Sequence, residues 1–459
     1  MITLPHILQN ICQSLISKHY RPVVVGGYVR DTLQGMASKD IDIEVFGVQS
    51  LDDLEILLNK FGKVNSVGKS FGVLKLQLEK TEVDFSIPRQ EKKVGQGHKG
   101  FEVTLDGALS FKEAALRRDF TINAMGFDIH SEKLLDPFDG QKALENKTLH
   151  YVNAETFRED PLRLYRAMQF SARFELTPSN ALTSLAREMV AEDVLEELPK
   201  ERVFEEFKKL LIKSKKPSIG LVLMSDWGML KHFKELLALH GVPQDPIYHP
   251  EGDVWIHTLM VVDTMAKLRT GVHKRDLYLM LAALCHDFGK ADTTEIIEGK
   301  IRAIGHESSG LPLTETFLER LSDEKALTEC IMPLVKHHLK PMQFYKQGAK
   351  APAICRLARD VNIEDLVLLA EADFLGRTTP EALKGEFEAG KWLLEHANAL
   401  QVAQKPLDAL LQGRDLIMLG LKPSKDFKLI LERAYDAQIE GVFSSYEEAL
   451  LWLKRDINV

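Results

Sequence analysis

RPVVVGGYVRDTLQGMASKDIDIEVF (residues 21–46) decides how the first part of this chain folds. RPVVV (21–25) is a short β-branched run that stops at Gly26-Gly27, and the pattern from Tyr28 to Leu33 is helical. DIDIEVF (40–46) then alternates acidic and apolar residues, the period of a half-buried strand. Side chains alternate across a strand, so Asp40 and Asp42 share one face while Ile41 and Ile43 turn to the core. Two carboxylates side by side at a sheet edge repel each other unless a cation lies between them. Mg²⁺ suits hard oxygen ligands and is commonly shared with substrate phosphates. Gly26-Gly27 close a strand and open a helix, which leaves bare N–H groups at a positive helix end where a phosphate can dock, with Arg30 one turn in. Asp84, in EVDFS (82–86), is a third candidate acid. The alternative for the acid pair is a solvated strand face.

Outward from this stretch, the pattern predicts a helix over 51–61 and strands near 63–67, 72–78 and 81–87. Residues 89–100 (RQEKKVGQGHKG) are charged and glycine-rich and predict a mobile loop. From Phe111 onward the periodicity is helical with few strand signals. Residues 161–174 predict a strong helix with Pro161 in its first turn. Pro243, Pro246 and Pro250, with Gly241 and Gly252, mark a boundary. The expected fold is α+β: a small α/β head (1–150), helical regions over 151–240 and 241–390, and a helical tail (391–459).

The chain has 459 residues and a formal net charge of -8, which weighs against nucleic acid as a partner. Lys200, Arg202, Lys208, Lys209, Lys213, Lys215 and Lys216 nevertheless cluster, as a basic face or a solvated helix surface. Cys12, Cys285, Cys330 and Cys355 are scattered without a CxxC pair, which argues against a disulfide framework and fits a reducing cytosol. The first twenty residues read as an amphipathic helix rather than a signal peptide, and no apolar run is long enough to cross a bilayer. A cytoplasmic protein with no membrane partner is expected.

The second half concentrates histidine. His257 lies in WIHTLMVVD, His286-Asp287 in LCHDFGK, His306 in IGHESSG, His337-His338 in VKHHLKP, and Asp373 in EADFLGR. A lone core histidine is usually a satisfied polar residue; five of them with an adjacent His-Asp pair point to a metal site. Imidazole with carboxylate suits Mn²⁺, Ni²⁺, Co²⁺, Zn²⁺ or Fe rather than Mg²⁺.

GGYVRDTLQG, KDIDIEVFG, RRDFTINAMGFD (117–128), DPFDG (136–140) and EDPLRLYRAMQFSARF (159–174) together resemble, in order and spacing, the motifs of class II tRNA nucleotidyltransferases and bacterial poly(A) polymerases. The rest resembles bacterial CCA-adding enzymes that carry an HD domain. The resemblance implies a polymerase-beta-like head, then neck, body, HD and tail regions, and addition of CCA to the 3′ end of tRNA from CTP and ATP. It implies Asp40 and Asp42 as catalytic Mg²⁺ ligands. Asp119 and its neighbours would contact ribose and Arg117 and Arg118 phosphates, with Gly26, Gly27, Arg30, Asn123 and Arg166 also in the nucleotide site. Asp136 is expected to order a turn. Deleting residues 92–98 is expected to spare CC addition and impair the final A.

Asp160 and Arg163 are three apart at a helix start and can face one side. A carboxylate only accepts hydrogen bonds and a guanidinium only donates. Cytosine and adenine both present an amine donor beside a ring-nitrogen acceptor, and uracil and guanine the reverse. One Asp with one Arg can therefore accept C and A and reject U and G, the templating role that the resemblance assigns. Asp before Pro is equally a helix cap, and the two roles coexist. By resemblance to the HD superfamily, His257, His286, Asp287 and Asp373 hold a transition metal such as Ni²⁺, Mn²⁺ or Co²⁺ for hydrolysis of phosphoesters such as 2′,3′-cyclic phosphates. His306, His337 and His338 remain for a second ion or a phosphate. Arg414, Lys422, Lys425 and Lys428 in the tail are candidate RNA contacts. The alternatives are a poly(A) polymerase or a partial CC- or A-adding enzyme, and, in another class, an HD hydrolase with a non-catalytic head. Either a monomer or a homodimer is compatible.

Overall fold

The computed structural model describes residue 2 and residues 4–38, 40–65, 72–78, 81–93 and 101–456. They form two compact units, Met1–Met229 and Leu230–Val459.

The first unit opens with α1 (His6–Ser17), which buries Leu8, Ile11, Cys12 and Leu15, one stripe at helical spacing. Then come β1 (Arg21–Val25), α2 (Gly27–Leu33), β2 (Ile41–Phe46), α3 (Leu51–Leu58), β3 (Lys63–Asn65), β4 (Val73–Leu78) and β5 (Thr81–Ser86). Ser50 caps α3 by accepting from the Asp53 amide. β6 (Arg89–Lys93) and β7 (Phe101–Leu105) pair antiparallel as a separate ribbon. The loop expected over 89–100 is thus corrected at its start, while residues 94–100 lie outside the described residues. A two-stranded ribbon buries little surface, so charged residues can build it without an apolar alternation.

α4 (Phe111–Ala115) starts at a capping box of Ser110 and Glu113. Two strands that the helical reading beyond Phe111 misses, β8 (Gly126–Asp128) and β9 (Lys133–Leu135), finish the main sheet. Three residues each are too few to display a period of two. The sheet order is β3-β4-β5-β2-β1-β8-β9, with β2 and β5 parallel and the other pairs antiparallel. Val23, Val25, Phe46, Phe111 and Ala115 pack in one core cluster beside it.

Five short pieces lead out of the sheet: α5 (Gly140–Glu145), β10 (Thr148–Leu149), α6 (Ala154–Glu159), α7 (Leu162–Phe174) and β11 (Thr177–Pro178). α8 (Asn180–Ala191), α9 (Lys200–Lys213) and α10 (Ser218–Asp226) follow, and α7 packs on α9 and α10. A Cβ on Gly220 would lie 2.9 Å from the Met168 carbonyl oxygen, so a bare α-carbon lets α10 close on α7.

The second unit contains α11 (Lys234–Leu237), α12 (Val254–Lys267), α13 (His273–Cys285), α14 (Lys290–Thr293), the hairpin β12 (Thr294–Ile297) and β13 (Lys300–Ala303), and α15 (His306–Leu321). It continues with α16 (Lys325–His337), α17 (Lys340–Gln347), α18 (Ala351–Asp360), α19 (Ile363–Leu375) and α20 (Glu388–Ala399). The hairpin is another departure from the all-helical expectation. α12, α13, α16 and α19 pack together; His257, His286, His337 and His338 lie on or at the ends of the first three, Asp373 on α19, and His306 begins α15. α21 (Gly413–Met418), α22 (Asp426–Ile439) and α23 (Tyr446–Asp456) share a small core around Leu416, Ala434 and Leu453. Among the described residues no helix is long and apolar enough to cross a membrane, and all four cysteines are free.

Candidate functional site

On β2, Ile41 and Ile43 are buried while Asp40 and Asp42 are exposed on the other face, as alternation requires. Asp40 precedes the first strand residue. The parallel pairing of β2 with β5 sets Asp42 beside Asp84, so the third acid joins the pair by register. Desolvation by crowding neighbours raises the Asp42 carboxyl above its ordinary value, and Asp84 and Asp40 add to the rise against Arg118. Such a donor set, three carboxylates brought to one place, fits a divalent cation.

Gly26 holds φ at 71°, and a Cβ there would stand 3.1 Å from Arg118 Nη1 and 3.8 Å from Asp42 Oδ2. The glycine therefore lets β1 end against the acids. Sequence reading missed Glu44, next on the same face of β2. It is buried, pairs with Arg117 at 2.9 Å, and has Arg118 at 3.8 Å. The signal was present in KDIDIE, two residues beyond Asp42.

Asp119 is buried and accepts from the Phe120 amide at 2.8 Å, Asn123 Nδ2 at 2.9 Å and Arg166 Nε at 2.7 Å. Burial alone would push its carboxyl up; Arg166 and Asn123 hold it below the usual range. Arg30, expected near a phosphate, is instead buried. It donates to Asn123 Oδ1 at 2.5 Å and to Asp31, and lies over the rings of Phe170 and Phe174. Burial pushes its guanidinium below the ordinary value, and Asp31 beside it works the other way. Asn123 and Asp119 are likewise interior groups, joining α2 and α7 to the turn after α4.

Asp160 sits between α6 and α7 as the residue before Pro161. Its Oδ1 accepts from the Leu162 amide at 3.3 Å, and Oδ2 lies 3.2 Å from Arg202 Nη2. Arg163 donates to the carbonyls of Thr156 at 2.9 Å and Arg117 at 2.6 Å. Asp136 accepts from the Gly140 and Gln141 amides, a turn-ordering role. In the basic cluster, Arg202, Lys208 and Lys209 sit in ion pairs with Asp160, Glu205 and Glu206, while Lys213, Lys215 and Lys216 are exposed. Arg414, Lys422, Lys425 and Lys428 are exposed as well.

In the second unit, His257, His286, Asp287 and Asp373 converge, all buried. Ligand atoms of His257, His286 and Asp373 lie within 4.8 Å of one another, as do those of Asp287, His306 and His338. His286, His306 and His338 each direct Nδ1 at the carbonyl three residues earlier, Ala283, Ala303 and Val335, at 2.7–2.8 Å. A carbonyl only accepts, so Nδ1 carries the proton and Nε2 presents its lone pair. His306 Nε2 then faces His338 Nε2 at 3.2 Å, acceptor against acceptor. Asp287 Oδ1 is 3.3 Å from His306 Nε2. His286 Nε2 is buried without a hydrogen-bond partner among the described residues and lies 3.2 Å from Asp287 Oδ2, which Lys290 Nζ also reaches at 2.7 Å. Opposed lone pairs and the orphaned His286 Nε2 fit metal ions.

Burial drives the His338 imidazole down to about 3, helped by His306 and His286, which keeps it neutral as a ligand must be. His337 does not join the cluster. Its Nε2 points to Asp360 at 3.4 Å, since adjacent helical residues face different ways. Sequence reading also missed two cations of the cleft beside these ligands. Lys290 reaches Asp287 at 2.7 Å and Gln244 at 2.8 Å, and Arg377 reaches Asp373 at 2.8 Å. The i+3 and i+4 spacings from Asp287 and Asp373 could have flagged them.

Residues 23–150 match the family model of the poly(A) polymerase head domain, 184–239 that of a probable RNA- and SrmB-binding site of polymerase A, and 254–369 that of the HD domain. The multifunctional CCA protein of Methylobacillus flagellatus is 34% identical over 366 residues, covering 78% of this chain and 84% of that protein. That of Xylella fastidiosa is 33% identical over 396 residues, covering 84% and 91%. Among solved structures, the Bacillus stearothermophilus CCA-adding enzyme in complex with CTP aligns with a TM-score of 0.68 at 19% identity, over 99% of this chain and 98% of that one. The Thermotoga maritima CCA-adding enzyme complexed with tRNA aligns at 0.61 and 20% identity, over 99% and 97%.

Proposed function

This chain belongs to the multifunctional CCA proteins, CCA-adding tRNA nucleotidyltransferases with an HD domain, and from that premise we propose how its residues divide the work. Asp40 and Asp42, with Asp84 beside them, hold Mg²⁺ at the head. When bound there, the ion supplies Lewis-acid neutralisation of triphosphate charge and activation of the attacking 3′ hydroxyl. Arg117 and Arg118, gathered by Glu44, offer positive charge to the phosphates of CTP or ATP. The tRNA 3′ end approaches the same face. Asp160 and Arg163 select cytosine and adenine by their fixed acceptor and donor edges. Arg30, Asn123, Asp119 and Arg166 hold the selecting helix α7 in place.

The observation that carries this reading is the register placing Asp42 beside Asp84, where desolvation first and then the like charge of Asp84 and Asp40 disfavour ionisation of Asp42. The experiment is incorporation of CTP and ATP into tRNA lacking CCA. Wild type is expected to add all three nucleotides and Asp42→Ala none; full addition by Asp42→Ala overturns the reading.

A second activity is favoured by the two buried ligand triads of the HD domain. His257, His286 and Asp373, with Asp287, His306 and His338, hold one or two transition-metal ions such as Ni²⁺, Mn²⁺ or Co²⁺. The bound metal supplies Lewis-acid chemistry for phosphoester hydrolysis, with 2′,3′-cyclic phosphates as the expected substrates. Lys290 and Arg377 bring positive charge to the cleft where a phosphate sits. His286→Ala with Asp287→Ala is expected to abolish hydrolysis and spare CCA addition. Loss of both activities makes the cluster structural.

A further inference from the structure

We propose that Glu251 is the positioning residue of the histidine–aspartate centre, fixing His257 as a ligand through its Nδ1 proton; this rests on the metal reading above. His286, His306 and His338 each tie Nδ1 to a neutral carbonyl of their own chain turn. His257 alone ties it to a carboxylate: Glu251 Oε1 accepts from His257 Nδ1 at 2.8 Å. The same oxygen accepts from His249 Nδ1 at 2.9 Å, and Oε2 accepts from the Thr378 amide at 3.2 Å. The Glu251 side chain is 1% exposed, and its three donors come from three separate segments.

The one Glu251 oxygen that both imidazoles approach accepts from both, so His257 Nδ1 donates, and in the neutral ring Nε2 is left as the lone pair. That lone pair faces Asp373 Oδ1 at 3.1 Å, a confrontation of acceptors that a cation relieves. Arg377 grips Asp373 at 2.8 Å, and the next residue, Thr378, donates to Glu251. The His257–Asp373 pair is thereby aligned from both ends by one strip of chain. A charge-assisted bond also makes the imidazole a stronger donor of electrons to a metal than a carbonyl partner does.

The test is calorimetric titration of Ni²⁺ into the full chain stripped with chelator, plus the visible spectrum at saturating Co²⁺. Glu251→Ala is expected to weaken Ni²⁺ binding about 10–100-fold, the range for second-shell partners. Glu251→Gln, which keeps the shape and one acceptor, is expected to fall between it and wild type and decides the matter if Glu251→Ala does not fold. A merely structural carboxylate leaves the Co²⁺ band of Glu251→Gln unmoved; reorientation of His257 shifts it. Wild-type affinity and an unmoved band in both variants overturn the proposal. If wild type itself binds no Ni²⁺, or His286→Ala with Asp287→Ala binds as tightly as wild type, the metal reading beneath it is what fails.

Discussion

Arg166 donates from Nε to Oδ2 of Asp119 at 2.7 Å and so joins α7 to the turn after α4, inside the unit that carries Asp40, Asp42 and Asp84. The two residues are 47 positions apart, and Arg166 is the cation that pairs with the Asp119 oxygen left free by the Phe120 amide and Asn123.

Arg166→Ala strands a buried carboxylate. The expected loss is about 3 kcal/mol, the low end for a broken buried pair, because 31% of the Arg166 side chain remains in water. Urea denaturation measures it. The folded-state pKa of Asp119 is depressed, so its stabilisation is complete above the unfolded value of about 3.9 and fades as pH falls through the lower folded value. The gap between wild type and Arg166→Ala should accordingly narrow below about pH 4; a gap constant down to pH 2 contradicts this assignment.

Asp160→Ala should admit the wrong bases. An unpaired buried polar group costs about 1–3 kcal/mol, so discrimination against UTP and GTP is expected to fall about 10- to 100-fold in single-nucleotide incorporation assays. Arg163→Lys should behave alike, because one ammonium cannot span the Thr156 and Arg117 carbonyls and also meet a base. Unaltered discrimination in Asp160→Ala would leave only its bonds to the Leu162 amide and to Arg202 as its role.

Gly289→Ala should disturb the HD centre without touching a ligand. Its φ of -67° suits alanine, but the new Cβ would lie 2.1 Å from the His306 carbonyl oxygen and 2.6 Å from the Gly310 amide nitrogen. Both are backbone, so α15 must move and carry His306 with it. A loss of about 1–3 kcal/mol by thermal unfolding, with weaker Ni²⁺ binding, is the expected result. Unchanged binding would show that α15 relaxes without shifting the ligand.

Metal binding should weaken in acid. Burial lowers the affinity of His286 for a proton, but Asp287 and Asp373 outweigh it and raise the imidazole above its ordinary value. Without metal, that protonated group adds stability below the unfolded value of about 6.5 and loses it as pH climbs through the raised folded value. Metal must displace this proton, so Ni²⁺ affinity should be lower at pH 6 than at pH 8. Equal affinity at both would rule His286 out as a ligand.

Much of the head was legible because its signals are local. Asp40, Asp42, Ile41 and Ile43 reveal their faces by alternation alone, and the strands of 72–78 and 81–87 differ from the observed ones by a residue. β8 and β9 were not, since strands this short are defined by partners far along the chain. Residue types flagged a concentration of histidine and aspartate and the resemblance singled out His257, His286, Asp287 and Asp373, which the fold brings together, whereas Glu251 and Arg377 reach them through distances that only folding creates. Arg30 shows the opposite limit: an arginine after a glycine turn reads as a surface charge, and only Phe170 and Phe174, remote in sequence, turn it inward.

The three imidazoles anchored to Ala283, Ala303 and Val335 take their aim from main-chain oxygens. Nothing about the side chains at those three addresses enters the bond, so they are free to drift as far as packing permits. What selection must guard there is the pitch of a helical turn, a property written in no single letter of the chain. Glu251 is the exception, the one anchor that a point mutation can erase.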